Sequence, residues 1–142
     1  MGIFKPSRVT HAHCHVPCGI YDPTFAINAA ETVAKMVEQI QAMEVPSAEA
    51  SDTDKIKFHH DLDRRVTNKE DHAKKCKYEL LDVLWTQYFK PEHLERWPDL
   101  HEKFYRAGHL CTQNMQNIDA ALAGELWDLT KEIGDIFTAT KS

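Results

Sequence analysis

Five side chains able to hold a transition metal fall within the eight residues from His11 to Cys18. His11, His13 and His15 alternate with other residues, and Cys14 and Cys18 stand four apart. Imidazole and thiolate are the donors that hold copper, nickel and zinc. In an extended segment, residues i, i+2 and i+4 point to one side, so three imidazoles converge while Cys14 points away. Copper stands highest in the divalent affinity series, suits imidazole and cycles between two oxidation states. Copper is therefore the favoured metal of this reading. His72 is the expected fourth ligand, because it shares a helical stripe with Cys76, Leu80 and Leu84.

The elements that must position these donors are helical. Asp22-Pro23-Thr24 offers cap chemistry for a first helix, whose apolar stripe runs Phe25, Ala29, Val33, Met36, Val37, Ile40, Met43 before Pro46 stops it. Ser51-Asp52 caps a long second helix over about 54–89, with Leu62, Val66, Cys76, Leu80, Leu84 and Tyr88 facing inward. Pro91 ends it. Trp97-Pro98 opens a third helix carrying Leu100, Phe104, Ala107, Leu110, Cys111 and Met115, and Asn117 caps a fourth with Ile118, Leu122, Leu126, Leu129, Ile133 and Ile136 or Phe137. No segment alternates like a half-buried strand. The expected fold is all-α, an antiparallel four-helix bundle over 24–142 behind an irregular metal-binding arm over 1–23.

A chain of 142 residues suits one packed domain, and 42% hydrophobic with 27% charged residues suits a globular protein. A formal net charge of -5 leaves no basic footprint for nucleic acid. The apolar runs are too short to cross a bilayer, and residues 1–8 carry charge without the apolar core of a secretory signal. A cytoplasmic location is expected. In a reducing compartment the four cysteines read as ligands or buried thiols, with Cys76 and Cys111 on apolar faces.

The run His13-Cys14-x-x-Pro17-Cys18-Gly19-x-Tyr21-Asp22-Pro23 resembles the N-terminal hook of nickel superoxide dismutases. The block Leu84-Trp85-x-x-Tyr88-Phe89-Lys90-Pro91 is similar to a second segment of that family, and the likeness extends over most of the chain from His13. It implies a helical-bundle subunit, commonly a hexamer, that disproportionates superoxide to oxygen and hydrogen peroxide. It further implies cleavage before His13, nickel ligation by His13, Cys14 and Cys18, and Tyr21 as the phenol screening the open metal face. The family carries Asp where this chain has His15, and its hook does not call for His11.

The resemblance and the histidine spacing thus lead to a superoxide dismutase with two candidate ligand sets. One is copper on His11, His13, His15 and His72, and it is favoured. The other is nickel on His13, Cys14 and Cys18, for which a chain retaining residues 1–12 lacks the free α-amine of His13. Cys14 and Cys18 remain open between nickel thiolates, a local disulfide and free thiols. A rival from another class is a non-catalytic copper-binding or copper-delivery protein, which predicts metal uptake without superoxide consumption. His93 and His101 are expected to be structural, and His59 and His60 to be solvated.

Overall fold

The computed structural model describes residues 18–142, and every regular element in them is helical. Helix α1 spans Thr24–Gln41, α2 spans Asp52–Tyr78, and α2 continues into a π-helical segment over Glu79–Tyr88. A single turn, α3, covers His93–Arg96; α4 spans Leu100–Gln116 and α5 spans Ala120–Ala139. Helix α1 packs on α2 and α5, and α4 packs on the same two. That cyclic arrangement, with short links at 42–51 and 117–119, makes the four long helices an antiparallel bundle.

The stripes meet in the middle. Ala26, Ala30 and Val33 of α1, Ala73, Cys76 and Leu80 of α2 with its extension, Leu100 and Ala107 of α4, and Leu126 and Ile133 of α5 are fully excluded from solvent. Two residues assigned to these stripes lie outside. Phe25 sits in the first turn of α1 and is 66% exposed, and Ile118 precedes α5 and is 45% exposed. Helix α1 also ends before Met43 and well ahead of Pro46. Met43 N–H turns to the Ile40 carbonyl at 3.1 Å, a tighter three-residue closure that stops the α-helix.

The caps follow side-chain chemistry. Ser51 accepts the Asp54 N–H at 3.1 Å, as its place before α2 predicts. The fourth long helix is capped by Asp119 rather than Asn117. Its carboxylate takes the N–H groups of Ala121 and Leu122 at 2.8 and 3.1 Å, whereas the Asn117 amide turns back to the Gln113 carbonyl. A charge missed by apolar patterning locks the preceding turn. Lys69, only 1% exposed, donates from Nζ to the carbonyls of Asn114, Met115 and Asn117. Those carbonyls have no helical partner, and a cation at a helix C-terminus suits the dipole there. Burial holds the Lys69 amine below its ordinary pKa.

The expected helix over 54–89 is continuous in path but changes hydrogen-bond class. Phe89 N–H reaches five residues back to the Leu84 carbonyl at 2.9 Å. The wider turn rotates the last residues of the segment into an aromatic cluster at one end of the bundle. Phe89 meets Phe104 with ring centres 5.4 Å apart, and Trp85 meets Phe104 at 4.8 Å.

Candidate metal centre

The described chain begins at Cys18, an exposed thiol one residue before a turn only glycine accommodates easily. Gly19 has φ +67, and a Cβ there would meet no atom within 4 Å. Backbone strain, not crowding, sets the requirement. The turn brings the Ile20 N–H to Cys18 Sγ at 3.4 Å. The same sulfur donates to the Ile20 carbonyl at 4.0 Å, so both polar groups of one residue hold Cys18 Sγ in place.

Past the turn, Asp22 Oδ1 accepts the Thr24 N–H at 2.8 Å and fastens the arm to the start of α1. The Thr24 hydroxyl and N–H, with a smaller contribution from Lys141, hold the Asp22 carboxyl below its ordinary range. Helix α5 passes close beneath this junction. A Cβ on Gly134 would lie 2.9 Å from Ile27 Cδ1 and 3.5 Å from Pro23 Cβ.

Tyr21 is half-buried with its hydroxyl enclosed, and its ring lies 5.3 Å from that of Tyr88 at 57°. Tyr88 ends the π-helical segment. Its ring centre is 4.4 Å from Phe137 of α5, and His93 of α3 lies parallel to it within 8° at 6.1 Å. Its hydroxyl is bonded to Thr140 Oγ1. His93 Nδ1 accepts the Lys90 N–H at 2.9 Å, so the neutral ring carries its proton on Nε2. Four elements therefore converge under one tyrosine at the mouth of the arm. Sequence reasoning placed Tyr88 on an inward stripe but had no signal for this platform, because the π-helical register is invisible in an ordinary helical period.

His11, His13, Cys14 and His15 lie outside the described residues. His72 is half-buried beside the seam of Lys69, Ala73 and Cys76, and its Nδ1–H donates to the Asn68 carbonyl at 2.8 Å. His101 packs its ring 5.6 Å from Trp85, and His59 and His60 are exposed. Cys76 and Cys111 are buried. Among the described residues no three His, Cys, Asp or Glu side chains are grouped to hold a metal ion. The described part of the site therefore supplies the Cys18 sulfur and the Tyr21 phenol, a donor set that fits a thiolate-bound metal.

Comparison with known proteins bears on the same region. The family model described as nickel-containing superoxide dismutase matches residues 8–141. The chain is 34% identical over 139 residues to "Superoxide dismutase [Ni]" of Streptomyces seoulensis, covering 98% of this chain and 95% of that protein. It is 31% identical over 139 residues to the protein of the same name from Streptomyces coelicolor (strain ATCC BAA-471 / A3(2) / M145), with the same coverage. Among solved structures, native nickel superoxide dismutase at 1.30 Å superposes with a TM-score of 0.75 at 31% identity, covering 92% of this chain and all of that one. An oxidised-state structure of nickel-containing superoxide dismutase gives 0.74 at 34% identity, covering 91% and 98%.

These likenesses overturn copper as the expected metal: the matching family and both relatives are described by nickel. The copper argument used the affinity order for a fixed imidazole set. Metal choice is decided by donor type and geometry more than by raw affinity, and the donor built into the turn here is sulfur.

Proposed function

The chain belongs to the nickel-containing superoxide dismutase family, and from that premise we propose that His13, Cys14 and Cys18 hold the nickel of a superoxide dismutase. It is a metal-dependent oxidoreductase whose reaction takes two superoxide ions and two protons to oxygen and hydrogen peroxide. Nickel, when bound, supplies the one-electron couple this reaction needs. The observation that carries the ligand assignment is the Gly19 turn, which aims the Ile20 N–H at Cys18 Sγ and fixes where that sulfur sits.

Tyr21 is the group we assign to the open side of the site. Its ring is held by Tyr88 and its hydroxyl is enclosed, which steadies the phenol where the arm meets the bundle. Asp22 and Thr24 fix where the arm leaves the bundle, so the turn and the phenol move together. The arm over 1–23 is read as the metal-binding unit, with cleavage before His13 exposing the α-amine as a further donor. The assembled enzyme is read as a cytoplasmic homo-oligomer, a hexamer by family resemblance. Among the described residues no helix is long and apolar enough to cross a membrane.

Metal analysis alongside mass spectrometry of the N-terminus tests this reading. Stoichiometric nickel on a chain beginning at His13, lost together with activity in Cys18→Ser, is the expected result. Full nickel retention by Cys18→Ser, or a nickel-loaded active chain still carrying residues 1–12, would sink it.

A further inference from the structure

A cleft of about 330 Å³ runs between α4 and the end of α2 with its π-helical extension, and no residue of the described arm lines it. Lys77, Leu81 and Trp85 recur every four residues along one wall, and His101, Tyr105 and His109 repeat that spacing on the other. Gly108 lets the two walls close at the bottom, since a Cβ there would stand 2.9 Å from Leu81 Cδ1.

The two ends of the cleft differ in chemistry. At one, Lys77 Nζ donates to Thr112 Oγ1 at 3.0 Å, and that hydroxyl donates in turn to the Gly108 carbonyl at 3.4 Å. An ammonium carries three N–H donors, so this fixed cation keeps donors beyond the Thr112 bond. The lining of the cleft includes no carboxylate to neutralise it. At the other end Trp85 is half-buried, backed by Phe104 with ring centres 4.8 Å apart and edged by His101 at 5.6 Å. Tyr105, on the facing wall, is 72% exposed.

We propose that this cleft binds a small aromatic anion, its flat ring against Trp85 and Tyr105 and its carboxylate or phosphate on Lys77. Charge complementarity selects the anion: a held ammonium without a carboxylate beside it gains a charge-assisted hydrogen bond from one. The imidazoles of His101 and His109 add N–H donors to the walls and no negative charge. The half-buried indole and the exposed phenol select a flat ring, which stacks on such surfaces. Eight residues of helix separate Lys77 from Trp85, roughly 12 Å at the helical rise, so a short chain must join ring to charge. The volume lies at the lower end of ligand pockets, about 300–1,000 Å³, and suits one ring or two fused rings. Aryl-alkyl carboxylates and nucleoside monophosphates share this chemistry.

Isothermal titration calorimetry on the purified enzyme tests the site with four probes. Indole butyrate and adenosine monophosphate carry both ring and negative charge. Tryptamine pairs the ring with a cation, and butyrate has the charge without the ring. At least one of the first two is expected to bind about tenfold or more tightly than either control, and the tighter of them identifies the source. Lys77→Met keeps the stem and should weaken that binding roughly ten- to a hundred-fold, the worth of a hydrogen bond to a charged group. Lys77→Arg should retain it. Tyr105→Ala removes an exposed ring, so its expected loss of binding does not reflect misfolding. Lys131→Met takes a cation from the Trp127 ring of α5 and should bind as wild type, which separates a local site from net charge. The proposal is overturned if neither aromatic anion outbinds the controls, the result also expected if a neighbouring subunit covers the cleft. It is equally overturned if Lys77→Met or Tyr105→Ala binds as tightly as wild type.

Discussion

The ring of Tyr21, in the arm, rests 5.3 Å from the ring of Tyr88, at the end of the π-helical segment. Through Tyr88 the arm is coupled to α3 and α5, because the same ring meets His93 and Phe137. Tyr88→Ala removes a half-buried ring and is expected to cost roughly 2–3 kcal/mol in stability. Loss of the platform frees Tyr21, so kcat/KM for superoxide should fall on the order of ten- to a hundred-fold. Tyr88→Phe keeps the ring and loses only the Thr140 bond, about 1 kcal/mol, with little change in rate. Chemical denaturation and pulse radiolysis read the two effects; equal rate losses in both variants would contradict the platform argument.

Gly19→Ala tests the turn. No atom lies within 4 Å of a Cβ there, so the whole penalty is the left-handed backbone, about 1–2 kcal/mol. Because that energy bears on the arm and not on the bundle, the variant should keep its Tm within a few degrees while its nickel occupancy falls. Metal content at limiting nickel, measured beside differential scanning calorimetry, separates the two.

Lys69→Met deletes three hydrogen bonds to the end of α4 while keeping the side-chain stem, at an expected cost of about 2–4 kcal/mol. The pH dependence has a defined sign. Burial lowers the native pKa of Lys69 below 10.5, so between those values the unfolded chain carries a proton that the native one lacks. Stability from this group therefore rises with pH through that alkaline window and levels off above 10.5. The stability gap between wild type and Lys69→Met should widen as pH rises toward 10.5, as read by urea unfolding at several pH values.

Asp119→Ala removes the cap of α5, leaving the Ala121 and Leu122 N–H groups without their acceptor. The expected loss is about 1 kcal/mol, with Asp119→Asn retaining most of it. Asn117→Ala should change stability less, since its side chain bonds back to Gln113 and caps nothing. Thermal unfolding of the three variants checks the order.

The helical stripes were legible because core positions repeat at the period of the helix, and most of the expected inward residues are buried. Phe25 and Ile118 were misread at helix ends, where period alone cannot say which turn still faces the core. The short α3 is one turn between two prolines and has too few residues to show a period. The buried Lys69 was hidden in a charge-rich stretch, and only the carbonyls of Asn114, Met115 and Asn117 explain why an ammonium belongs there.

By itself the sequence determined the bundle, the arm motif with Gly19 and Tyr21, and through that motif the family and its reaction. These are local: spacing, turn chemistry and ligand type are written residue by residue. It led to the wrong metal, because an affinity order applied to alternating histidines cannot weigh donors by their placement. Tertiary structure decided what depends on distant parts of the chain meeting. It set Tyr21 on Tyr88 through a π-helical turn, tied Lys69 to α4, and brought Cys76 of α2 to Thr130 of α5. Such contacts arise from helix register and packing across the whole bundle, which no single segment encodes.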